Sequence, residues 1–137
     1  MIEAALYIAL GCAAVSALAG CRAAWVLVPS VAFCLYADGR VDFDPLTWLM
    51  IDTAAMALIV GLTRTMTRAD WLIFWLFFAA WGSYFLPDPP RYTVSVLVTI
   101  AQLLLTIRPG RMARLVERWK ATFAHRHEWT DLERRQA

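Results

Sequence analysis

Apolar residues fall into five blocks, 3–20, 23–37, 46–63, 71–86 and 93–107, separated by short charged or Pro- and Gly-containing breaks. A soluble helix carries a polar face and shows a polar residue at every turn, so uninterrupted blocks of this kind predict spanning helices. The expected fold is therefore an all-α integral membrane protein. Its compact bundle of four to five short transmembrane helices would occupy residues 1–108, with a basic amphipathic helix opening the tail over 109–137. The block LTWLMIDTAAMALIVGLT, 46–63, is the most regular. At 1.5 Å per residue such a block reaches about 27 Å, close to the ~30 Å of a bilayer core.

Breaks and caps mark the helix ends. Pro45 suits the first turn of the third helix, Thr67 to Asp70 suits the start of the fourth, and Pro89 with Pro90 stops it. The second block holds Pro29, which a membrane helix tolerates where neighbours satisfy the freed carbonyl. It reads as a kinked span, with a re-entrant pair over 2–37 as the alternative.

In the first block Ala9, Ala13 and Ala17 recur every four residues, as do Cys12, Ser16 and Gly20. Small residues at that spacing let backbones approach closely in lipid, so Ala9, Ala13, Ala17 and Gly20 are the expected packing positions. The block carries Glu3 where a signal peptide would carry Lys or Arg, and Cys21 is followed by Arg22 and another apolar block. Neither a signal peptide nor a lipidated cysteine is the expected reading.

Charge fixes an orientation. Arg22, Arg64 with Arg68, and Arg108 onward fall on every second connection, whereas the loops at 38–45 and 87–90 contain Asp. The positive-inside rule then predicts an N-terminus outside and a C-terminus in the cytoplasm of a bacterial inner membrane. Eight of the thirteen basic residues follow Ile107. Within the tail, Met112, Leu115, Val116, Trp119 and Phe123 share a helical face, and Arg111, Arg114, Arg118 and Lys120 crowd the rest. With Arg108, these are the expected membrane-surface basic residues, suited to anionic lipid in the cytoplasmic leaflet. A basic stretch so short and so close to the bilayer does not suggest nucleic acid. Beyond Phe123 the mixed charges predict a frayed end, with a turn capped by Thr130 and Glu133.

Composition agrees: 61% of residues are hydrophobic and mean hydropathy is +0.54, above the range of ordinary soluble domains. Aromatics cluster in the fourth block, and Trp71, Trp81 and Tyr84, with Trp119 in the tail, are the expected interfacial anchors. The chemistry on offer is sparse. Cys12, Cys21 and Cys34 have neither CxxC spacing nor an even count, and both histidines lie in the tail, so no metal, haem or other cofactor is expected. No nucleophile elbow, phosphate loop or dinucleotide motif appears, and an enzyme is not expected.

The polar residues of interest inside the spans are Asp52, Gln102, Ser83 and Thr99. A carboxylate near the middle of a spanning helix costs about 2.5–3.5 kcal/mol on insertion scales, so Asp52 should meet another helix or a wet cavity. It reads as a clamp to Gln102 or Ser83, as part of an ion path, or as the lining of an oligomeric pore.

Short loops, several spans and a charged cytoplasmic tail after Ile107 resemble the layout of the small phage and prophage lysis proteins called holins. That resemblance implies a protein that accumulates in the inner membrane, forms homo-oligomers, and permeabilises or depolarises it. The residues alone also allow a non-catalytic accessory or scaffold subunit of a larger membrane complex, or a small channel or transporter.

Overall fold

The computed structural model describes Met1 to Gln136 apart from Gly39, Asp42, Phe43, Asp88 and Pro89, with side chains described as far as Phe123. Parts of the two Asp-containing loops and the expected Thr130–Glu133 cap thus lie outside the described residues. The described chain is all-helical: α1 Ile2–Leu18, α2 Arg22–Ala37, α3 Pro45–Leu62, α4 Arg68–Ser83, α5 Pro90–Leu105 and α6 Pro109–Gln136.

Local chemistry sets these ends. Gly20 takes φ +87°, its N–H donates to the Ala17 carbonyl and the Cys21 N–H donates to the Ser16 carbonyl. That pair of bonds is a Schellman ending, and the left-handed residue it needs is a glycine. Gly20 is thus the turn that stops α1 rather than a member of its packing face. The other three expected positions do pack, with Ala9, Ala13 and Ala17 all buried. The α2 helix runs unbroken through Pro29.

Pro45 opens α3 behind Asp44, whose carboxylate accepts from the Thr47 hydroxyl and the Thr47 N–H. Those two bonds, the hydroxyl first, hold the exposed Asp44 carboxyl below the usual carboxylate range. The cap's contribution is thus complete above that range and is lost only as pH falls below it, through the lowered value. At the head of α4, Thr67 and Asp70 exchange bonds as a capping box. That helix stops at Ser83, three residues short of the expected 86, and α5 starts at Pro90, three before the expected 93. The tail is helical through Gln136, not frayed beyond Phe123. Its last segment holds neither Gly nor Pro and is rich in Glu, Arg, Leu and Gln, which favour helix.

Contacts fix the directions. Glu3 meets Tyr92 near the starts of α1 and α5, and Ser16 meets Thr106 near their ends, so these helices run parallel. Arg22 at the start of α2 reaches Leu62 at the end of α3, and Asp70 at the start of α4 reaches Arg108 beyond the end of α5. The bundle therefore runs up and down. The ends of α1, α3 and α5 meet the starts of α2, α4 and α6 at one pole, where Arg22, Arg64, Arg68, Arg108 and Arg111 gather.

Large apolar residues stand on the outside as well as in the core. The core sets Ala9, Ala13, Ala17, Ala23, Ala24 and Ala55 beside larger residues such as Leu6, Leu27, Ile59, Ile73, Phe77 and Leu103, while Tyr7, Ile8, Trp25, Met50, Trp75 and Phe85 are exposed. Each small residue inward brings two backbones together, and each large apolar residue outward needs an apolar medium or a partner. Along α4, Trp71, Phe74, Trp75, Phe78 and Trp81 stack mostly edge to face in one continuous strip.

Candidate functional site

A half-open cavity of about 240 Å³ lies between α1 to α5. Its apolar wall includes Leu6, Leu27, Val31 and Phe77, and its polar wall includes Asp52, Tyr84, Ser95, Thr99 and Gln102. Asp52 comes from the middle of α3, and Tyr84 from the residue that ends α4. The Tyr84 hydroxyl donates to Asp52 Oδ2 at 2.6 Å.

Asp52 does meet a polar group on another helix, but the partner is neither Gln102 nor Ser83. Ser83 donates back to the Ala80 carbonyl at 2.6 Å, the economical bond for a buried helical hydroxyl. Thr99 likewise donates to the Ser95 carbonyl at 2.9 Å. Gln102 lines the same cavity, yet its Nε2 is buried without a hydrogen-bond partner among the described residues. Tyr84 is correspondingly a clamp across α3 and α4 rather than a surface anchor. Trp81 is half-buried, whereas Trp71 and Trp119 are exposed, as anchors would be.

Below the cavity, toward the basic pole, Ile59, Ile73 and Leu103 are almost wholly buried and form a dry layer. Beyond that layer Arg108 Nη2 donates to Asp70 Oδ1 at 2.7 Å, with side-chain exposures of 20% and 6%. Arg108 is thus committed to the bundle and is not simply a membrane-surface charge. Asp70 Oδ2 accepts from the Thr67 N–H and hydroxyl, so both carboxylate oxygens are engaged. Arg22 donates to the Leu62 carbonyl at 2.9 Å and Arg111 to the Gly20 carbonyl at 2.6 Å, each placing a cation where a helix ends in unpaired carbonyls.

Along α6, Met112 and Leu115 are half-buried, whereas Val116, Trp119 and Phe123 face outward on the expected apolar side. Arg114, Arg118 and Lys120 are exposed. The α5–α6 junction bends by 57°, and Ser16 satisfies the Thr106 carbonyl left free there.

These contacts describe a self-clamped bundle with a polar cavity and a basic pole. No protein family, no curated protein and no solved structure matches this chain. Function therefore rests on the geometry. Among the described residues, no three His, Cys, Asp or Glu side chains gather as metal ligands. The cavity brings together the Asp38 and Asp52 carboxylates, the Tyr84 and Tyr92 phenols, the Cys34 thiol, the Arg91 guanidinium, one amide and two hydroxyls.

Proposed function

We propose that this chain is an integral protein of a bacterial inner membrane, with α1 to α5 as its spans, the N-terminus outside and α6 on the cytoplasmic leaflet. The large apolar side chains left on the exterior of the bundle carry this reading. In α3, 18 residues have mean hydropathy 1.7 and only 11% of them are buried. The core helix of a soluble protein would be mostly buried, and a signal sequence would stand near the N-terminus. Neither description fits α3. Each large apolar side chain left in water forgoes roughly 1.5–3 kcal/mol, so the exposed Leu46, Met50 and Leu58 call for lipid or another apolar surface.

The work of such a chain is non-catalytic and takes place within the bilayer. The connections 19–21, 63–67 and 106–108 are only a few residues long, leaving a soluble partner little beyond the tail to grip. We favour holin-type action, in which homo-oligomers permeabilise the membrane. In this reading copies meet through their apolar exteriors, with the strip from Trp71 to Trp81 one such face. Asp52 and Gln102 face the chain's own cavity and would not line a lumen between closed bundles.

That inward polarity favours a second reading, an accessory subunit of a membrane complex, because Asp52, Thr99 and Gln102 all line the chain's own cavity. Controlled overexpression with a potential-sensitive dye separates the two. Holin-type action predicts an abrupt loss of potential after a delay. Cells that hold their potential at high membrane abundance of the full-length chain leave the accessory reading.

Orientation has its own test. A reporter fused after Ala137 should be cytoplasmic, and one inserted between Asp38 and Asp44 periplasmic, as the arginine pole requires. Both reporters on one side would end this topology.

A further inference from the structure

At the basic pole the ends of all six helices border a second, half-open cavity, of about 520 Å³, whose charged lining is Arg22, Arg64, Arg108, Arg111 and Asp70. The lone carboxylate is already spent on Arg108 and Thr67. What remains faces the cavity as donors. Arg22 and Arg111 are held in place by the Leu62 and Gly20 carbonyls through one nitrogen each, so most N–H groups of each guanidinium are still uncommitted to those bonds.

Two further lining groups are buried donors without a partner among the described residues: Arg108 Nε and Thr63 Oγ1. The Cys21 side chain makes no cap at the start of α2, which opens onto the same space. Every one of these features asks for an acceptor. Three arginines in excess of Asp70, beside an uncapped helix start, ask for an anion with several oxygens.

We propose that this basin binds a phosphate group, with Arg22, Arg64 and Arg111 as its cationic rim and Arg108 Nε and Thr63 as donors at its floor. The proposal deepens the membrane reading, since at a cytoplasmic leaflet the nearest phosphate is an anionic lipid headgroup. A free phosphate offers the same oxygens. Attraction of the tail to a charged surface is a separate effect, spread over Arg114, Arg118 and Lys120, and lacks a floor of buried donors.

The test uses the full-length chain in a neutral, phosphate-free detergent, titrated calorimetrically with dihexanoyl phosphatidic acid, dihexanoyl phosphatidylcholine, inorganic phosphate and hexanoate. Saturable binding of phosphatidic acid is expected, tighter than that of the zwitterion or the carboxylate. Inorganic phosphate binding as tightly would assign a free anion, and weaker binding would assign a headgroup; both uphold a phosphate site. Arg64→Gln and Arg111→Gln should each weaken binding ~10-fold, the loss of one charge-assisted bond, while Arg118→Gln leaves it unchanged. Arg64 is exposed, so its variant spares the fold. Thr63→Val should weaken binding without lowering the unfolding temperature of the unliganded chain.

Hexanoate matching phosphatidic acid, or wild type and Arg64→Gln binding alike, overturns the site. Because the titration is done in micelles, it reads the basin whatever the reporter fusions say about topology.

Discussion

Arg108→Leu should lower unfolding stability in detergent by about 3–5 kcal/mol, the usual cost of stripping one partner from a buried ion pair. The reason lies with Asp70, not with Arg108. Its side chain is 6% exposed, and without the guanidinium Oδ1 loses the bond that ties it to the residue beyond α5. Oδ2 keeps the Thr67 cap, so α4 still starts in the right place. The cost should appear as loosened packing of α4 on α5 rather than as loss of helix.

Asp70→Asn should cost less, because the amide oxygen can still accept from Thr67 or from Arg108. In the double variant the buried charge is gone, and its cost should fall well short of the sum of the singles. A cycle measured by thermal or denaturant unfolding decides the matter. An Arg108→Leu cost under about 1 kcal/mol, the range of exposed pairs, would show that the pair is an ornament of the surface.

The sequence displayed both members of that pair without displaying the pair. Asp70 read as a helix start, which it is, and Arg108 as a surface charge, whereas it turns inward to Asp70. Counting which pole each residue falls on would have brought them together, since an acid at the arginine pole of an apolar bundle needs a cation beside it. Helix starts were more legible, because Pro45 and Thr67 with Asp70 act within four residues of the chain, whereas Pro90 read as the stop of α4 and is the start of α5. Gly20 shows the limit of spacing arguments. It sits at the right interval to extend the Cys12–Ser16 face, but a helix that stops at Leu18 needs a left-handed residue just there.

The clamp on Asp52 was half legible. A lone acid within an apolar block announces that it has a partner, and insertion energetics require one. Which partner depends on the rotation of α3 and α4 about their axes. Periodicity fixes rotation only when a helix has one polar side. Both of these helices are apolar on nearly every face, so the expectation fell on Gln102 or Ser83, and Tyr84 read as an interfacial anchor. The three-residue error at the end of α4 then mattered, because it turned Tyr84 into a helix-end residue free to swing inward.

Tyr84→Phe should destabilise the bundle by about 1–3 kcal/mol, the cost of leaving a buried acceptor without its donor. The ring is retained, so the loss reports the hydroxyl and not the packing. Asp52→Asn should be mild, since the amide oxygen still accepts from the Tyr84 hydroxyl at the geometry now seen with Oδ2. Asp52→Leu should resemble Tyr84→Phe in size, because it orphans the phenol instead of the carboxyl. When both changes are made together, two apolar groups of similar shape face each other across the cavity, and the loss should shrink to near zero.

The pattern expected from thermal unfolding in micelles is therefore two costly singles and a nearly silent double. Additive costs would mean that Asp52 and Tyr84 stabilise the bundle through separate neighbours. A double variant that is stable yet no longer functional in cells would place the polar cavity, rather than the clamp across it, at the centre of what the chain does.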